Sequence, residues 1–301
     1  MNEQLLEKIN IFLKNLSSLN YLDPNIFDMI NEHKRINEIP FDDYYLEYIS
    51  SLPKLDFENA AKISREVFQM YGKENEFDNI LERLKTGYYI DMGNLDKNDN
   101  NCVLNATESR ILLSGTYYDV IMLCHEIGHK LKYDNSLNTY DSITNSFFFE
   151  TPSVMLELSA NDYLRDFYNI DIKADELRKI HISSIARENN IETYIFNIIM
   201  NLKKYGKLSS SNLYNALMQN EDVINYLNSP NISIENSVSE GIESYSYDIG
   251  YILGNYANSC DNKRELLNLF LQLKSKGLNT PFTIDESIIG ESLEEHRFMN
   301  K

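Results

Sequence analysis

Two histidines four residues apart, with a glutamate beside the first, constrain this chain more than any other feature: His125-Glu126-Ile127-Gly128-His129. On a helix, positions i and i+4 lie about 40° apart and one turn along the axis, so the two imidazoles converge on one point. Two rings so placed can hold a single metal ion, and the adjacent glutamate can reach a water on that ion. Ile121, Met122, Cys124, Ile127, Gly128 and Leu131 surround the pair with apolar residues, as a buried helix requires. The chain has only 5 histidines in 301 residues, so chance supplies about 0.007 such strings. The fold is therefore expected to hold an interior helix over roughly Tyr117–Lys132.

A catalytic zinc takes three protein ligands and keeps a fourth position open. The next informative stretch is Phe147-Phe148-Phe149-Glu150-Thr151-Pro152-Ser153-Val154-Met155-Leu156-Glu157. Glu150 and Glu157 are two helical turns apart and share a face. Pro152 is tolerated in a first helical turn. Three phenylalanines put Glu150 against a core, where a carboxylate needs a partner such as a metal. Glu150 is the expected third ligand; the competing reading makes it an acid favoured by the helix dipole. Glu157 either orients a ligand histidine or joins a structural salt bridge. Asp162 is a rival for the third position.

Gly115-Thr116-Tyr117-Tyr118-Asp119-Val120, then Leu123 to His129, then Phe149-Glu150-Thr151-Pro152-Ser153 and Leu156-Glu157 resemble the zinc site of the thimet oligopeptidase and oligoendopeptidase F family, which are gluzincin peptidases. The strong resemblance covers Gly115–Leu164. It implies one catalytic Zn2+ on His125, His129 and Glu150, Glu126 as general base, and Glu157 as the second acid of the family's glutamate-bearing stretch. A weaker match, Ser244-Tyr245-Ser246-Tyr247-Asp248-Ile249-Gly250-Tyr251, is similar to the family's tyrosine-bearing helix. The resemblance implies that Tyr245, Tyr247 or Tyr251 binds the scissile carbonyl. Tyr247 and Tyr251 are i, i+4 and can face one point, and a positioned phenol stabilises an oxyanion by a few kcal/mol. The chain departs from the family in having no histidine over Ser237–Ser244 and in being much shorter.

Composition narrows the classes further. There are 46 acidic against 28 basic side chains, a net charge of −18. Nucleic-acid binding needs a basic footprint, so it is disfavoured, and neutral or basic ligands suit the surface better. No apolar run approaches the roughly 20 residues that cross a bilayer. The first residues, Met1-Asn2-Glu3-Gln4-Leu5-Leu6-Glu7-Lys8, lack an apolar signal core. Cys102, Cys124 and Cys260 form no C-x-x-C pair, which suits a reducing cytoplasm. Cys124 is a poor nucleophile candidate, because it and His125 point to different sides of a helix. His33, His181 and His296 read as surface or packing residues, and Arg165, Lys203 and Lys204 as solvated charge.

Apolar spacing predicts helices over Glu3–Leu16, Phe57–Tyr71 capped by Asp56, Glu76–Thr86, Tyr117–Lys132, Phe147–Phe167, Ala174–Glu188, Ile191–Tyr205, Ser211–Gln219, Ser239–Asn258 and Lys263–Lys276. Tyr88–Ile90, Cys102–Leu104 and Arg110–Leu113 read as short strands, with Asp91–Asn101 and Tyr133–Asn145 as polar loops. The expected fold is mainly α with a small β-sheet beside the site, zincin-like by resemblance. Residues 1–301 are expected to form one compact unit, with 1–86 a helical cover and 87–301 the zinc-binding core.

The leading expectation is a cytoplasmic zinc peptidase acting on oligopeptides or flexible peptide segments, with an extended substrate added alongside Arg110–Ser114. One alternative is a zinc protease dedicated to a repressor or a precursor. Another is an inactive relative that binds zinc and holds peptides without cutting them.

Overall fold

Apolar residues recur at helical spacing along most of the sequence, and the computed structural model folds them accordingly. It describes residues 3–15, 19, 21–33, 47–87, 90–91, 102–103, 109–131, 148–188, 190–276, 282–285 and 287–289. The helices are α1 (Glu3–Lys14), α2 (Pro24–His33), α3 (Phe57–Met70), α4 (Glu74–Gly87), α5 (Tyr118–Lys130), α6 (Thr151–Tyr168), α7 (Ala174–Glu188), α8 (Asn190–Lys204), α9 (Ser210–Leu217), α10 (Glu221–Leu227), α11 (Ile234–Ser259) and α12 (Lys263–Lys276). The expectation of a mainly helical molecule holds. Asp56 caps α3 as its sequence suggests, accepting from the Asn59 amide at 2.9 Å. Helix α11 starts earlier than expected, because Ser233 caps it by accepting from the Asn236 amide at 3.0 Å. Helices α2 and α10 were not read from the sequence. Pro24 opens the first, and Asn220 caps the second through the amide of Asp222 at 3.0 Å.

Helix α6 is the structural centre. From Thr151 to Asn161 every residue is buried. Small and apolar residues surround it on all sides, so no face suits water. It lies between α5 and α11, which form its most extensive contacts. Helix α8 packs on α11, and α3 packs on α5. Buried apolar side chains from Leu5 to Ile289 form one cluster. Helix α3 meets α5 on the side of Val120 and Cys124, where Ser64 Oγ lies 3.4 Å from the Val120 carbonyl. This part of residues 1–86 therefore packs on the histidine helix. Burial pushes the Cys124 thiol up to about 12, which removes it as a nucleophile.

Three short strands precede α5: β1 (Ile90–Asp91), β2 (Cys102–Val103) and β3 (Ser109–Leu112). β3 is central. β1 runs parallel to it with Ile90 opposite Ile111, and β2 antiparallel with Cys102 opposite Arg110. A substrate strand along the whole of Arg110–Ser114 is thus a correction to make: Arg110 already faces β2, and Ile111 and Leu112 face β1. Among the described residues, Leu113 and Ser114 extend past both registers. Of the expected loops Asp91–Asn101 and Tyr133–Asn145, Asp91 belongs to β1 and the rest lies outside the described residues, as do His296 and the His33 side chain. Among the described residues no helix is long and apolar enough to cross a membrane.

Candidate metal centre

The turn into α5 is fixed by a buried carboxylate. Asp119 accepts from the Ser114 amide (2.7 Å), the Ser114 hydroxyl (2.7 Å) and the Gly115 amide (2.9 Å). Gly115 takes φ +68°, where a side chain is rarely tolerated. This anchors the first turn of α5, and every residue from Tyr118 to His129 is buried. Gly128 lets α6 come close: a Cβ there would lie 2.9 Å from Ser153 Cα.

His125 and His129 then converge as the i, i+4 spacing demands. Their Nε2 atoms lie 2.9 Å apart. Glu150 closes the group from the N-terminus of α6, with Oε2 3.6 Å from His125 Nε2 and Oε1 3.6 Å from His129 Nε2. The three residues are buried, and each offers a ligand atom within 4.8 Å of the others. Glu150 occupies the N-cap position of α6 but makes no side-chain cap bond. Its carboxylate faces the imidazoles instead, so the dipole reading does not account for it. Asp162 is elsewhere, bonded to Arg165 (2.8 Å) and to Asn258 (2.7 Å).

The donor set can be tested for fit to a metal from its own chemistry. Burial holds both histidines well below their usual range, His125 aided by Arg178 and His129 by His125, so both rings are neutral ligands. Among the described residues, Glu150 Oε2 and Glu126 Oε2 are buried without hydrogen-bond partners. Burial lifts Glu126 to about 8, with Glu150 adding to it, and lifts Glu150 to about 7. Two buried carboxylates beside two neutral imidazoles form a set that a bound cation would stabilise. Two imidazole nitrogens and one carboxylate oxygen also match the ligand types of catalytic zinc sites.

Glu157 orients His125, as the sequence allowed. Its Oε2 lies 2.9 Å from His125 Nδ1. Arg178 of α7 sits on the same carboxylate, with Nη2 on Oε2 and Nε 3.3 Å from Oε1, and with Nη2 2.9 Å from His125 Nδ1. A guanidinium has no acceptor, so Nδ1–H must donate to Glu157 for Nε2 to be free to bind a metal. The other histidine is held differently. Phe149 stacks on His129 at 4.5 Å and 15°. Lys274 of α12 lies 4.8 Å from the Phe149 ring centre and donates to the His129 carbonyl at 2.6 Å. α12 thereby clips the Glu150 turn to the end of α5.

The three candidate tyrosines separate. The Tyr245 hydroxyl lies within hydrogen-bond reach of Asn31 (2.7 Å) and Asn197 (2.9 Å), and its ring packs on Phe27 and Phe196. The Tyr251 hydroxyl donates to Asp175, and Lys179 stands over its ring at 5.5 Å. Both hydroxyls are thus engaged by other side chains. Tyr247 stands one turn before Gly250, on the face of α11 that approaches Glu150. Burial pushes its phenol up, followed by Glu150, Glu243 and Glu126, so these charges are its electrostatic neighbours. Its helix reaches Glu150 through Gly250, where a Cβ would lie 2.4 Å from Glu150 Cβ.

Sequence reading missed Arg178, His181 and Lys274. His181 takes the packing half of its expectation, its ring meeting Tyr247 edge to face at 5.8 Å. A signal was present. Ala174, Leu177, Arg178 and His181 follow i, i+3, i+4, i+7, and Lys274 continues the apolar stripe of Leu267, Phe270 and Leu271. Polar residues on such stripes are buried, and buried polar residues need a reason. Lys203 also departs from expectation, donating to the Leu22 carbonyl at 2.7 Å, while Lys204 pairs with Asp28. No family model matches this chain, and no curated protein or solved structure does.

Proposed function

We propose that this protein is a zinc-dependent metallopeptidase of zincin-like fold, acting in the cytoplasm on oligopeptides or flexible peptide segments. One observation carries the reading: His125, His129 and Glu150 form a buried group of metal ligands, with a partnerless Glu126 carboxylate oxygen beside them. The resemblance of Gly115–Leu164 to oligoendopeptidase-type zinc sites supports the same conclusion.

His125 Nε2, His129 Nε2 and Glu150 would hold the ion. When bound, zinc supplies Lewis acidity toward a peptide carbonyl and lowers the pKa of water beside it. Glu126 Oε2 takes a proton from the attacking water and returns it to the leaving amine nitrogen. Tyr247 donates its phenolic proton in a hydrogen bond to the carbonyl oxygen as charge grows there. Glu157 keeps His125 in the tautomer that leaves Nε2 free, and Arg178 pairs with the Glu157 carboxylate. The net charge of −18 favours basic or neutral peptides over acidic ones.

The test is incubation of zinc-loaded protein with a mixed peptide library, read by mass spectrometry with and without a chelator. Cleavage that the chelator abolishes is expected. Absence of any chelator-sensitive cleavage, with zinc bound at one equivalent, would overturn the enzymatic reading in favour of peptide binding.

A further inference from the structure

Tyr247 stands on the face of α11 that approaches Glu150 at Gly250, and its phenol has no anchor among the described residues. Its neighbours on α11 are each tied down by their hydroxyls, Tyr245 near Asn31 and Asn197 and Tyr251 on Asp175. Among the described residues the Tyr247 hydroxyl has no hydrogen-bond partner. A phenol that is to meet a substrate atom must keep its hydroxyl free, so its direction has to come from packing on the ring. The ring contact present is His181, edge to face, with centroids 5.8 Å apart and planes at 82°. Such a geometry is favoured by the quadrupole of the aromatic face.

His181 stands on firm ground. It lies one turn beyond Arg178 on α7, on the same face. Arg178 is locked to Glu157 on α6 by two hydrogen bonds. A continuous path therefore runs from the residue that orients His125, through Arg178 and His181, to the phenol.

We propose that His181 is a positioning residue: its imidazole sets the direction in which the Tyr247 phenol points toward Glu150 and Glu126. The kinetic consequence rests on the peptidase reading; the orientation itself does not. Burial, and then Arg178, hold His181 down to about 3, so the ring stays neutral and can pack on an aromatic neighbour across the working pH range.

Two independent readouts test this. In the first, 3-fluorotyrosine is placed at position 247 and its fluorine resonance is recorded with and without zinc. His181→Ala is expected to move that resonance toward the position of exposed fluorotyrosine, and His181→Phe to hold it near the unaltered protein. An unmoved resonance in His181→Ala would overturn the proposal, whether or not peptides are cut. In the second, His181→Ala is expected to lower kcat about tenfold with KM within about twofold, while His181→Phe recovers most of the loss. In a Tyr247→Phe background, His181→Ala should cost less than about twofold more, because both act through one phenol. Multiplied losses, or loss of bound zinc in His181→Ala alone, would also overturn it. If the unaltered protein cuts nothing, the peptidase reading fails and the fluorine measurement still decides the positioning role.

Discussion

His125, Glu126 and His129 stand on one stretch of α5, and Glu150 and Glu157 follow on α6; Arg178, His181 and Tyr247 reach the same place from α7 and α11. The first group is positioned by helical spacing alone, given that α5 and α6 touch. The second depends on how closely α11 approaches α6 at Gly250 and on the ion pair between Arg178 and Glu157. On the proposed reading, the difference teaches that ligand holding and carbonyl polarisation are encoded separately. Substitutions should divide them: changes in the first group alter metal or the base, and changes in the second alter turnover with metal in place.

The sharpest cut lies within the first group. Glu126→Gln keeps the shape of the side chain and removes its proton-accepting charge. Turnover is expected to fall by about 10²–10⁴, with zinc still at one equivalent by elemental analysis. Retained turnover would place the base elsewhere.

Glu157 belongs to both groups, so it is where the division should break. Glu157→Ala leaves Arg178 buried with no carboxylate and His125 Nδ1 without its acceptor. Breaking a buried pair from one side costs about 3–5 kcal/mol, and loss of the partner behind a ligand histidine weakens metal by about 10–100-fold. Denaturant unfolding and a competitive zinc titration measure these. Unaltered stability would mean that Arg178 finds another acceptor.

The same division explains what was legible in the sequence. The i, i+4 histidines, Glu150 and the orienting Glu157 lie within two helices, and period alone brings them together. The tyrosine helix was legible as a helix, yet its spacing favoured the wrong partner for Tyr247. Tyr251 shares the i, i+4 face, but Asp175 on α7 captures its hydroxyl, and α7 is unrelated to α11 in sequence. Arg178 and Lys274 were unread because a cation on an apolar stripe looks like an interruption until its partner is known. The end of α2 at His33 and the placement of α10 depended on tertiary neighbours, which period does not show.

The tyrosines give the next prediction. Tyr247→Phe is expected to lower kcat by about 10² with KM and zinc unchanged, the scale of one lost oxyanion donor. Tyr245→Phe and Tyr251→Phe are expected to leave kcat within about threefold and to cost about 1 kcal/mol of stability, as lost buried hydrogen bonds. A large kcat effect from Tyr251→Phe would reverse the assignment.

Gly250→Ala tests the approach of α11 directly. The added Cβ would meet Glu150 Cβ at 2.4 Å, so α11 or the ligand turn must move. Overpacking of this kind costs about 1–3 kcal/mol. Thermal unfolding and zinc affinity should both fall, and affinity that stays the same would show that α11 yields and the ligand turn does not.

The smallest effect is a change with pH in how much zinc stabilises the fold. In the metal-free protein burial raises Glu126 to about 8, with Glu150 adding, and raises Glu150 to about 7. A carboxylate raised on folding stabilises fully below its ordinary 4.5 and loses that contribution as pH rises through the raised value. His125 and His129, lowered by burial, contribute above their ordinary 6.5 and lose it as pH falls through their folded values. Between about pH 6.5 and 8 the histidine part is complete and the carboxylate part is fading. Zinc favours both carboxylates in their charged form, so its stabilisation should grow across that window. Lys274, lowered to about 7 by burial, works in the opposite direction on absolute stability. It donates to a backbone carbonyl and offers no ligand, so comparing loaded with chelated protein at each pH largely removes it. The gap in Tm between the two forms should therefore widen by a few degrees from about pH 6.5 to about pH 8. A constant gap would mean that the two carboxylates are already ionised without metal, and that charge crowding in the first group is relieved by Arg178.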